Sequence, residues 1–317
     1  MTFDDLFLDD ELIAAVRDSG FEKPTEVQQL AIPALLAGQD VLACAATGTG
    51  KTAAFILPIL QRLNDERHKH DQARILILAP TRELAFQIQH VFHQLGKAFK
   101  PTIAMLTGGA SPWAQVQHAT AQCDIIIATP GRLLSLVNDE SVDLSAVELV
   151  IIDEADRMLD MGFIHDIKKI MALLPKNRQN LMFSATYSDD IRQLAKDITN
   201  NPTEISVSPR NSTLDIITQK IHPVDKGRKP ELLSHLIRSE NWHQALVFSR
   251  TKHGADKLVR RLARDSIKAT AIHGNKSQPQ RTKALAGFKH NKIQILVATD
   301  IAARGIDIDQ LSHVENF

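Results

Sequence analysis

The sequence predicts an α/β protein built as two lobes, each with a mostly parallel sheet flanked by helices. Three observations carry that expectation. Short continuous apolar runs recur, such as Ile75-Leu76-Ile77-Leu78 and Leu149-Val150-Ile151-Ile152. Amphipathic stretches at helical spacing separate them, and short buried strands with helices between them indicate a parallel sheet covered on both faces. The rhythm lapses once, through Ser206-Val207-Ser208-Pro209-Arg210-Asn211-Ser212-Thr213, and then resumes. That polar, turn-forming stretch is the candidate linker between a first lobe over 1–208 and a second over 214–317.

The chain opens with apolar residues at helical spacing from Leu12 to Val16 and from Val27 to Leu36, separated by Gly20-Phe21-Glu22-Lys23-Pro24-Thr25. Thr25 can cap the second helix, so Pro24-Thr25 fit plain helix initiation. Phe21 and Gln28 admit another reading, because an aromatic face and a carboxamide suit stacking on and hydrogen-bonding to an adenine. Next, Val41 to Cys44 suit a buried strand that feeds Ala45-Ala46-Thr47-Gly48-Thr49-Gly50-Lys51-Thr52 and then the apolar helix from Ala53. This is the order of a phosphate cradle. Gly48 and Gly50 permit backbone angles that turn amide hydrogens inward, Lys51 pairs with phosphates, and the Thr52 hydroxyl ligates Mg²⁺. Ala45 stands where the usual G-x-x-x-x-G-K-[ST] pattern has its first glycine.

Beyond the cradle, strands are expected at Arg74–Leu78, Thr102–Leu106, Asp124–Ala128, Leu149–Ile152 and Asn180–Phe183. They run into Ala79-Pro80-Thr81-Arg82, Thr107-Gly108-Gly109, Thr129-Pro130-Gly131-Arg132, Asp153-Glu154-Ala155-Asp156 and Ser184-Ala185-Thr186. Ligands of open α/β sheets bind at the carboxyl ends of strands, so these turns should gather beside the cradle. After the linker, strands are expected at Ile216–Val224, Ala245–Phe248, Ala269–Ile272 and Ile293–Val297, with helices at Lys229–Ile237, Lys252–Ala263 and Gln278–Phe288. This half has no Gly-Lys-Thr cradle of its own, so one nucleotide is expected to serve both lobes.

Composition sets outer limits. The 317 residues are 44% hydrophobic and 23% charged, enough to bury more than one core. The two cysteines, Cys44 and Cys123, form neither a disulfide framework nor a metal-ligand spacing. The acidic start Met1-Thr2-Phe3-Asp4-Asp5 is unlike a signal peptide, and no apolar run is long enough to span a bilayer, so a cytoplasmic protein without a membrane role is expected. Net charge is zero, which argues against a simple polybasic nucleic-acid binder. The average conceals a division: residues 1–208 hold 18 Lys+Arg against 27 Asp+Glu, a net of −9, and residues 209–317 hold 19 against 10, a net of +9. Opposite charges fit lobes that attract across a cleft, and equally fit chance variation between domains.

Asp153-Glu154-Ala155-Asp156 reads in isolation as a solvated acidic turn. Following a buried strand beside a phosphate cradle, it also reads as a carboxylate for Mg²⁺ with an adjacent Glu that orients or deprotonates water. At this tetrapeptide the chain resembles the DEAD-box ATP-dependent RNA helicases. Gly20 to Gln28 resembles the Q motif and Ala45 to Thr52 the nucleotide motif, in which alanine is usual at the first position. Pro80-Thr81-Arg82-Glu83-Leu84-Ala85, Gly108-Gly109, Thr129-Pro130-Gly131-Arg132, Ser184-Ala185-Thr186, Leu246-Val247-Phe248-Ser249-Arg250-Thr251 and Ala298-Thr299-Asp300 through Asp307 follow in order. Met158-Leu159-Asp160-Met161-Gly162-Phe163 and Ile272-His273-Gly274-Asn275-Lys276-Ser277-Gln278 look most like the bacterial RhlE subgroup.

The resemblance implies two RecA-like lobes and an RNA-stimulated ATPase that unwinds short RNA duplexes or remodels RNA, with ATP and Mg²⁺ as cofactors. It implies nucleotide contacts from Phe21, Lys23, Gln28, Ala45, Ala46, Thr47, Gly48, Thr49, Gly50, Lys51, Thr52 and Asp307. Lys51, Asp153, Glu154, Ser184 and Thr186 form the implied catalytic set, with Thr52 and Asp153 toward the metal and Ser184 and Thr186 coupling the lobes. Arg82, Gly109, Thr129, Gly131 and Arg132 on the first lobe, with Arg250, Gly274 and Thr299 on the second, would hold the RNA sugar-phosphate backbone without reading sequence. RNA-processing or ribosome-assembly proteins are the implied partner class. The family pattern continues beyond Asn316-Phe317 into a helix bearing His-Arg-Ile-Gly-Arg-Thr-Gly-Arg, an octapeptide that does not occur in these 317 residues. The expectation is therefore a second lobe incomplete at its C-terminus. Loss of an arginine finger, worth about 10³ to 10⁵ in rate, opens the alternative of an ATP- and RNA-binding remnant with little turnover.

Overall fold

The computed structural model describes residues 1–65, 72–120, 123–207, 218–300, 308 and 311–317. The chain divides into two compact units, Met1–Ile216 and Ile217–Phe317. The first carries a seven-stranded parallel sheet: β1 (Val41–Ala45), β2 (Ile75–Leu78), β3 (Ile103–Leu106), β4 (Ile125–Ala128), β5 (Leu149–Ile152), β6 (Gln179–Ser184) and β7 (Thr203–Val207). Their order across the sheet is β3-β4-β2-β5-β6-β1-β7.

These strands are apolar at nearly every position because both faces are covered. Alternate side chains point to opposite faces, so Val41, Ala43, Ile75, Ile77, Leu149, Ile151, Leu181 and Phe183 enter one core. Leu42, Leu76, Leu78, Val150, Ile152 and Met182 enter the other. The covering helices are α1 (Asp10–Asp18), α2 (Glu26–Leu36), α3 (Lys51–Asp65), α4 (Arg82–Leu95), α5 (Pro112–Thr120), α6 (Pro130–Asn138), α7 (Ala155–Asp160), α8 (Ile164–Leu173) and α9 (Asp189–Ile198). At the amino end of β1, the buried Asp40 carboxylate accepts from the backbone N–H of Asn180 and of Asn200, each at 2.7 Å. A buried carboxylate is tolerated where backbone donors satisfy it, and here it fastens the strand that leads to the cradle.

The second unit carries a four-stranded parallel sheet among its described residues, in the order β11-β8-β10-β9. Its strands are β8 (Ala245–Phe248), β9 (Ala269–Ile272), β10 (Ile295–Ala298) and β11 (His313–Asn316), with helices α10 (Lys229–Ser239), α11 (Lys252–Arg264) and α12 (Gln278–Lys289). Both units thus have the parallel α/β architecture that the alternation of runs predicts.

Three details differ from expectation. Of the expected strand Ile216–Val224, residues 216–217 lie outside the described residues, and 218–224 form no strand. Ile221 is 93% exposed, Pro223 has no N–H to give a ladder, and among the described residues no strand pairs with 218–224. Conversely, β7 was not expected at all, and Ser206 and Val207, read as the start of the linker, form its end through pairing with β1. The rest of that expected linker, 208–213, lies outside the described residues. The short polar strand β11 was not expected, because His313-Val314-Glu315-Asn316 lacks an apolar run. It pairs along β8, and its His313 ring stacks on the buried Trp242 at 4.6 Å.

Candidate functional site

The loop after β1 turns through Gly48 and Gly50, whose φ angles are 78° and 90°. L side chains rarely adopt such angles. At Gly50 space is also short, since a Cβ would lie 2.5 Å from Gln28 Nε2. Lys51 begins α3 and is buried, and its Nζ donates to the Ala45 carbonyl at 2.7 Å, across the loop from its own end. A buried ammonium at the amino end of a fifteen-residue helix is suited to an anion. Thr47 and Gly48 are exposed; Ala46, Thr49 and Thr52 are half-buried, and the Thr49 hydroxyl donates to the Ala46 carbonyl at 2.7 Å.

Gln28 is fully buried on α2. Its Oε1 accepts from the Thr25 N–H at 2.9 Å, and its Nε2 donates to the Gly50 carbonyl at 3.1 Å. The first bond belongs to a capping box; the second ties α2 to the cradle. One amide hydrogen and further acceptor capacity remain on this side chain. Phe21 is half-buried against the first core, and Lys23 is exposed.

The acidic tetrapeptide follows β5, and strand order puts it near the cradle. β6 lies between β5 and β1, with Ile152 beside Met182 and Cys44 beside Ser184. At about 4.8 Å per strand, the cradle strand and the Asp153 strand are roughly 10 Å apart. Asp153 is buried, its N–H donates to the Leu78 carbonyl of β2 at 3.0 Å, and its Oδ1 accepts from the Glu154 N–H at 2.9 Å. Burial, with the Glu154 carboxylate beside it, pushes the Asp153 carboxyl up to about 7, against the pull of Lys51. Burial also raises Glu154, while Arg157 and Lys51 act in the other direction. Glu154 sits in the left-handed region at φ 55°, a strained conformation for a side chain of this size. Its Oε2 accepts from Arg157 Nη1 at 2.6 Å. Between the two, the fully buried Ser184 accepts from the Thr186 N–H at 3.3 Å, and Thr186 is exposed.

These residues fit a Mg²⁺–nucleotide. A desolvated carboxylate whose nearest charges leave it with a raised pKa gains most from a cation, and Mg²⁺ takes one or two protein oxygens, water and phosphate oxygens rather than an all-protein cage. No group of three or more His, Cys, Asp or Glu is arranged around a metal position among the described residues.

The other half of the same sheet edge belongs to β2, β4 and β3. Arg82 opens α4, donates through Nη1 to the Gly108 carbonyl at 3.1 Å, and holds its guanidinium 5.1 Å from the Phe86 ring centre. Arg132 Nη1, on α6, donates to the Ala110 carbonyl at 3.3 Å and to Gln115 Oε1 at 3.2 Å. Gln115 in turn donates to the Thr107 carbonyl at 2.8 Å. Thr129 is the half-buried residue before α6, its N–H bonded to the Leu106 carbonyl at 3.0 Å; Gly109 and Gly131 are exposed. All five residues expected on this side are therefore gathered on three adjacent strand ends.

In the second unit, Thr299 follows β10 and its N–H reaches the Ile272 carbonyl of β9 at 3.3 Å; Ser249 N–H reaches the Ala298 carbonyl at 2.8 Å. These bonds put the exposed Arg250 and Gly274 and the half-buried Thr299 on neighbouring ends of β8, β9 and β10. Asp256 on α11 braces the Gly274 loop from both sides, 3.1 Å from His273 Nε2 and 2.9 Å from Lys276 Nζ. Asp307 lies outside the described residues.

Arg157 and Gln115 were missing from the sequence expectations. The Glu154–Arg157 pair was detectable as an i, i+3 charge pair. Gln115 had no such signal, since its partners Thr107 and Arg132 are brought to it by β3 and α6.

The DEAD/DEAH box helicase family matches residues 25–194, and the helicase conserved C-terminal domain matches residues 228–317. The chain is 42% identical over 319 residues to the ATP-dependent RNA helicase SrmB of Escherichia coli, covering 100% of this chain and 72% of SrmB. It is 40% identical over 316 residues to the DEAD-box ATP-dependent RNA helicase RhpA of Helicobacter pylori, covering 100% of this chain and 63% of RhpA's length. The solved structure of Saccharomyces cerevisiae Dbp5 bound to RNA and ADP BeF3 is similar with a TM-score of 0.87 at 30% identity, covering 99% of this chain and 79% of that one.

Proposed function

Since the chain belongs to the DEAD/DEAH box helicase family, we propose that it is an RNA-stimulated ATPase that uses ATP binding and hydrolysis to separate short RNA duplexes or remodel RNA. The observation that carries this reading is the first sheet's carboxyl edge. One half holds a buried cradle lysine and two buried carboxylates with raised pKa values. The other presents two arginines tethered to exposed loops. That Dbp5 was captured with RNA and a nucleotide analogue in a similar fold supports placing both ligands on this chain.

In this reading Lys51 exchanges its Ala45 carbonyl for phosphate oxygens, and the loop amides from Ala46 to Thr52 share the phosphate charge. Phe21 packs against the base, while Gln28 uses its spare amide hydrogen and acceptor capacity on the adenine edge. Lys23 and Asp307 complete the nucleotide contacts. Thr52 and Asp153 would hold Mg²⁺, which supplies charge neutralisation at the phosphates when bound. Glu154 accepts a proton from the attacking water through its carboxylate. The raised pKa brings it nearer to the basicity that proton transfer at neutral pH requires. Ser184 and Thr186 communicate the state of this site to the second unit. Arg82, Gly109, Thr129, Gly131 and Arg132, with Arg250, Gly274 and Thr299, hold RNA phosphates and sugars, and 2′-hydroxyls distinguish RNA from DNA. We further place the chain nearest the RhlE subgroup, in the cytoplasm, and assign nucleotide chemistry to residues 1–208 and a second RNA surface to 214–317.

The test is phosphate release from ATP with and without single-stranded RNA, alongside nucleotide and RNA binding. Stimulation by RNA, and less by DNA of the same sequence, is expected. Binding of both ligands by folded protein without stimulated release would instead establish an ATP- and RNA-binding remnant. Equal stimulation by DNA would redirect the assignment to a DNA-acting enzyme.

A further inference from the structure

We propose that Trp113 is a base-stacking contact for single-stranded RNA, which adds a nucleobase subsite to an edge otherwise fitted to phosphates and sugars. The inference rests on the RNA reading of that edge. Trp113 is 70% exposed, whereas the chain's other tryptophan, Trp242, is 6% exposed and packs in a core. It lies in the first turn of α5, directly after the β3–α5 connection that carries Gly108 and Gly109, and therefore at the carboxyl edge of the sheet. Gln115, two residues on and about 200° round the helix, is the buried anchor, bonded to Thr107 and Arg132. That places Trp113 on the outward side of a helix whose inner side is fixed.

The segment is hydrogen-bonded by the residues assigned to the RNA backbone. Arg82 grips the Gly108 carbonyl and Arg132 grips the Ala110 carbonyl, so a strand following those arginines passes the segment that presents the indole. Another exposed aromatic, Phe86 on α4, already carries the Arg82 guanidinium against its ring. Among the described residues the Trp113 ring has neither an aromatic nor a cationic partner. A wide, open π face on a segment bonded to two arginines favours a polyanion bearing flat bases over an apolar protein surface.

The experiment is titration of the full chain with a fluorescently labelled single-stranded RNA and with a ribose-phosphate oligomer of equal length lacking bases. Wild type, Trp113→Ala and Trp113→Phe are compared, and folding is checked by circular dichroism. Base stacking predicts that Trp113→Ala binds RNA about tenfold more weakly, that Trp113→Phe keeps most of the affinity, and that the baseless strand binds all three proteins alike. Indole fluorescence of the wild type should be quenched by RNA. Unchanged RNA affinity in Trp113→Ala overturns the proposal and leaves the ring to a protein partner. Equal weakening for both strands also overturns it, because the loop rather than the stack would then be at work. If wild type binds neither strand, the RNA reading of the edge fails first and this inference with it.

Discussion

The two halves of the first sheet's carboxyl edge meet where the Asp153 N–H donates to the Leu78 carbonyl, yet they treat charge in opposite ways. On the β5-β6-β1 side, Lys51, Asp153, Glu154 and Ser184 are all less than 9% exposed. Removal from water raises both carboxylate pKa values and strengthens every interaction among the charges. On the β3-β4-β2 side, Gly108, Gly109 and Gly131 are exposed, and Arg82 and Arg132 are only partly covered. Chemistry on a phosphate needs a dry, preorganised site, whereas a long polyanion needs an accessible one, where screened contacts position without heavy desolvation. One sheet can offer both settings because the crossovers send the buried charged elements and the exposed arginine-bearing loops to separate strand ends.

Substitutions can break this division or sharpen it. The largest effect should come from Glu154→Gln, which keeps size and packing but removes the proton acceptor. RNA-stimulated phosphate release should fall about 10³-fold while ATP and RNA affinities stay near wild type; near-normal turnover would remove Glu154 from its role.

Next comes pH. The folded Asp153 carboxyl titrates near 7 against an ordinary value of 3.8, so between these values the native state binds the extra proton. The contribution of Asp153 to stability must therefore fall as pH rises from about 4 to about 7, by on the order of 3 kcal/mol, in protein free of divalent cations. Thermal unfolding of Asp153→Asn relative to wild type should show the difference growing through that window and levelling off above it. A pH-independent difference would mean that the carboxylate is not desolvated.

Gly50→Ala should cost about 1–3 kcal/mol, because φ is 90° and the new methyl meets the Gln28 amide. The thermal midpoint should drop and nucleotide affinity with it, with RNA affinity measured without nucleotide little changed. The mildest change is Arg132→Ala. RNA binding should weaken several-fold, and the slope of log affinity against log salt should shrink by about one. Nucleotide affinity measured alone should hold. Loss of nucleotide binding in this variant would show that the two halves are not separable.

Much of this was legible from sequence because its signals are local. Val41-Leu42-Ala43 followed by Gly48, Gly50, Lys51 and Thr52 specifies strand, turn and helix within one short stretch, and the structure forms β1 and α3 there. Likewise Leu149-Val150-Ile151-Ile152 forms β5 and delivers Asp153 and Glu154. The failures came where the signal was weak or came from elsewhere. Ile221 alone could not make a strand beside Pro223, and His313-Val314-Glu315-Asn316 became one only because β8 offered an open ladder. Gln28 was legible as an amide suited to adenine, but its bond to Gly50 depends on how α2 packs beside the cradle.

By itself the sequence determined the parallel α/β class, the cradle, the acidic strand end and the set of polar turns, since each follows from periodicity or from neighbours along the chain. Only the tertiary structure decided that Ser184 stands between Asp153 and the cradle, that Arg82 and Arg132 clamp the segment bearing Trp113, and that Arg157 holds Glu154. The order of parallel strands is set by how each crossover helix buries its apolar face against the sheet. That packing is a property of the whole core, so no single stretch of residues encodes it.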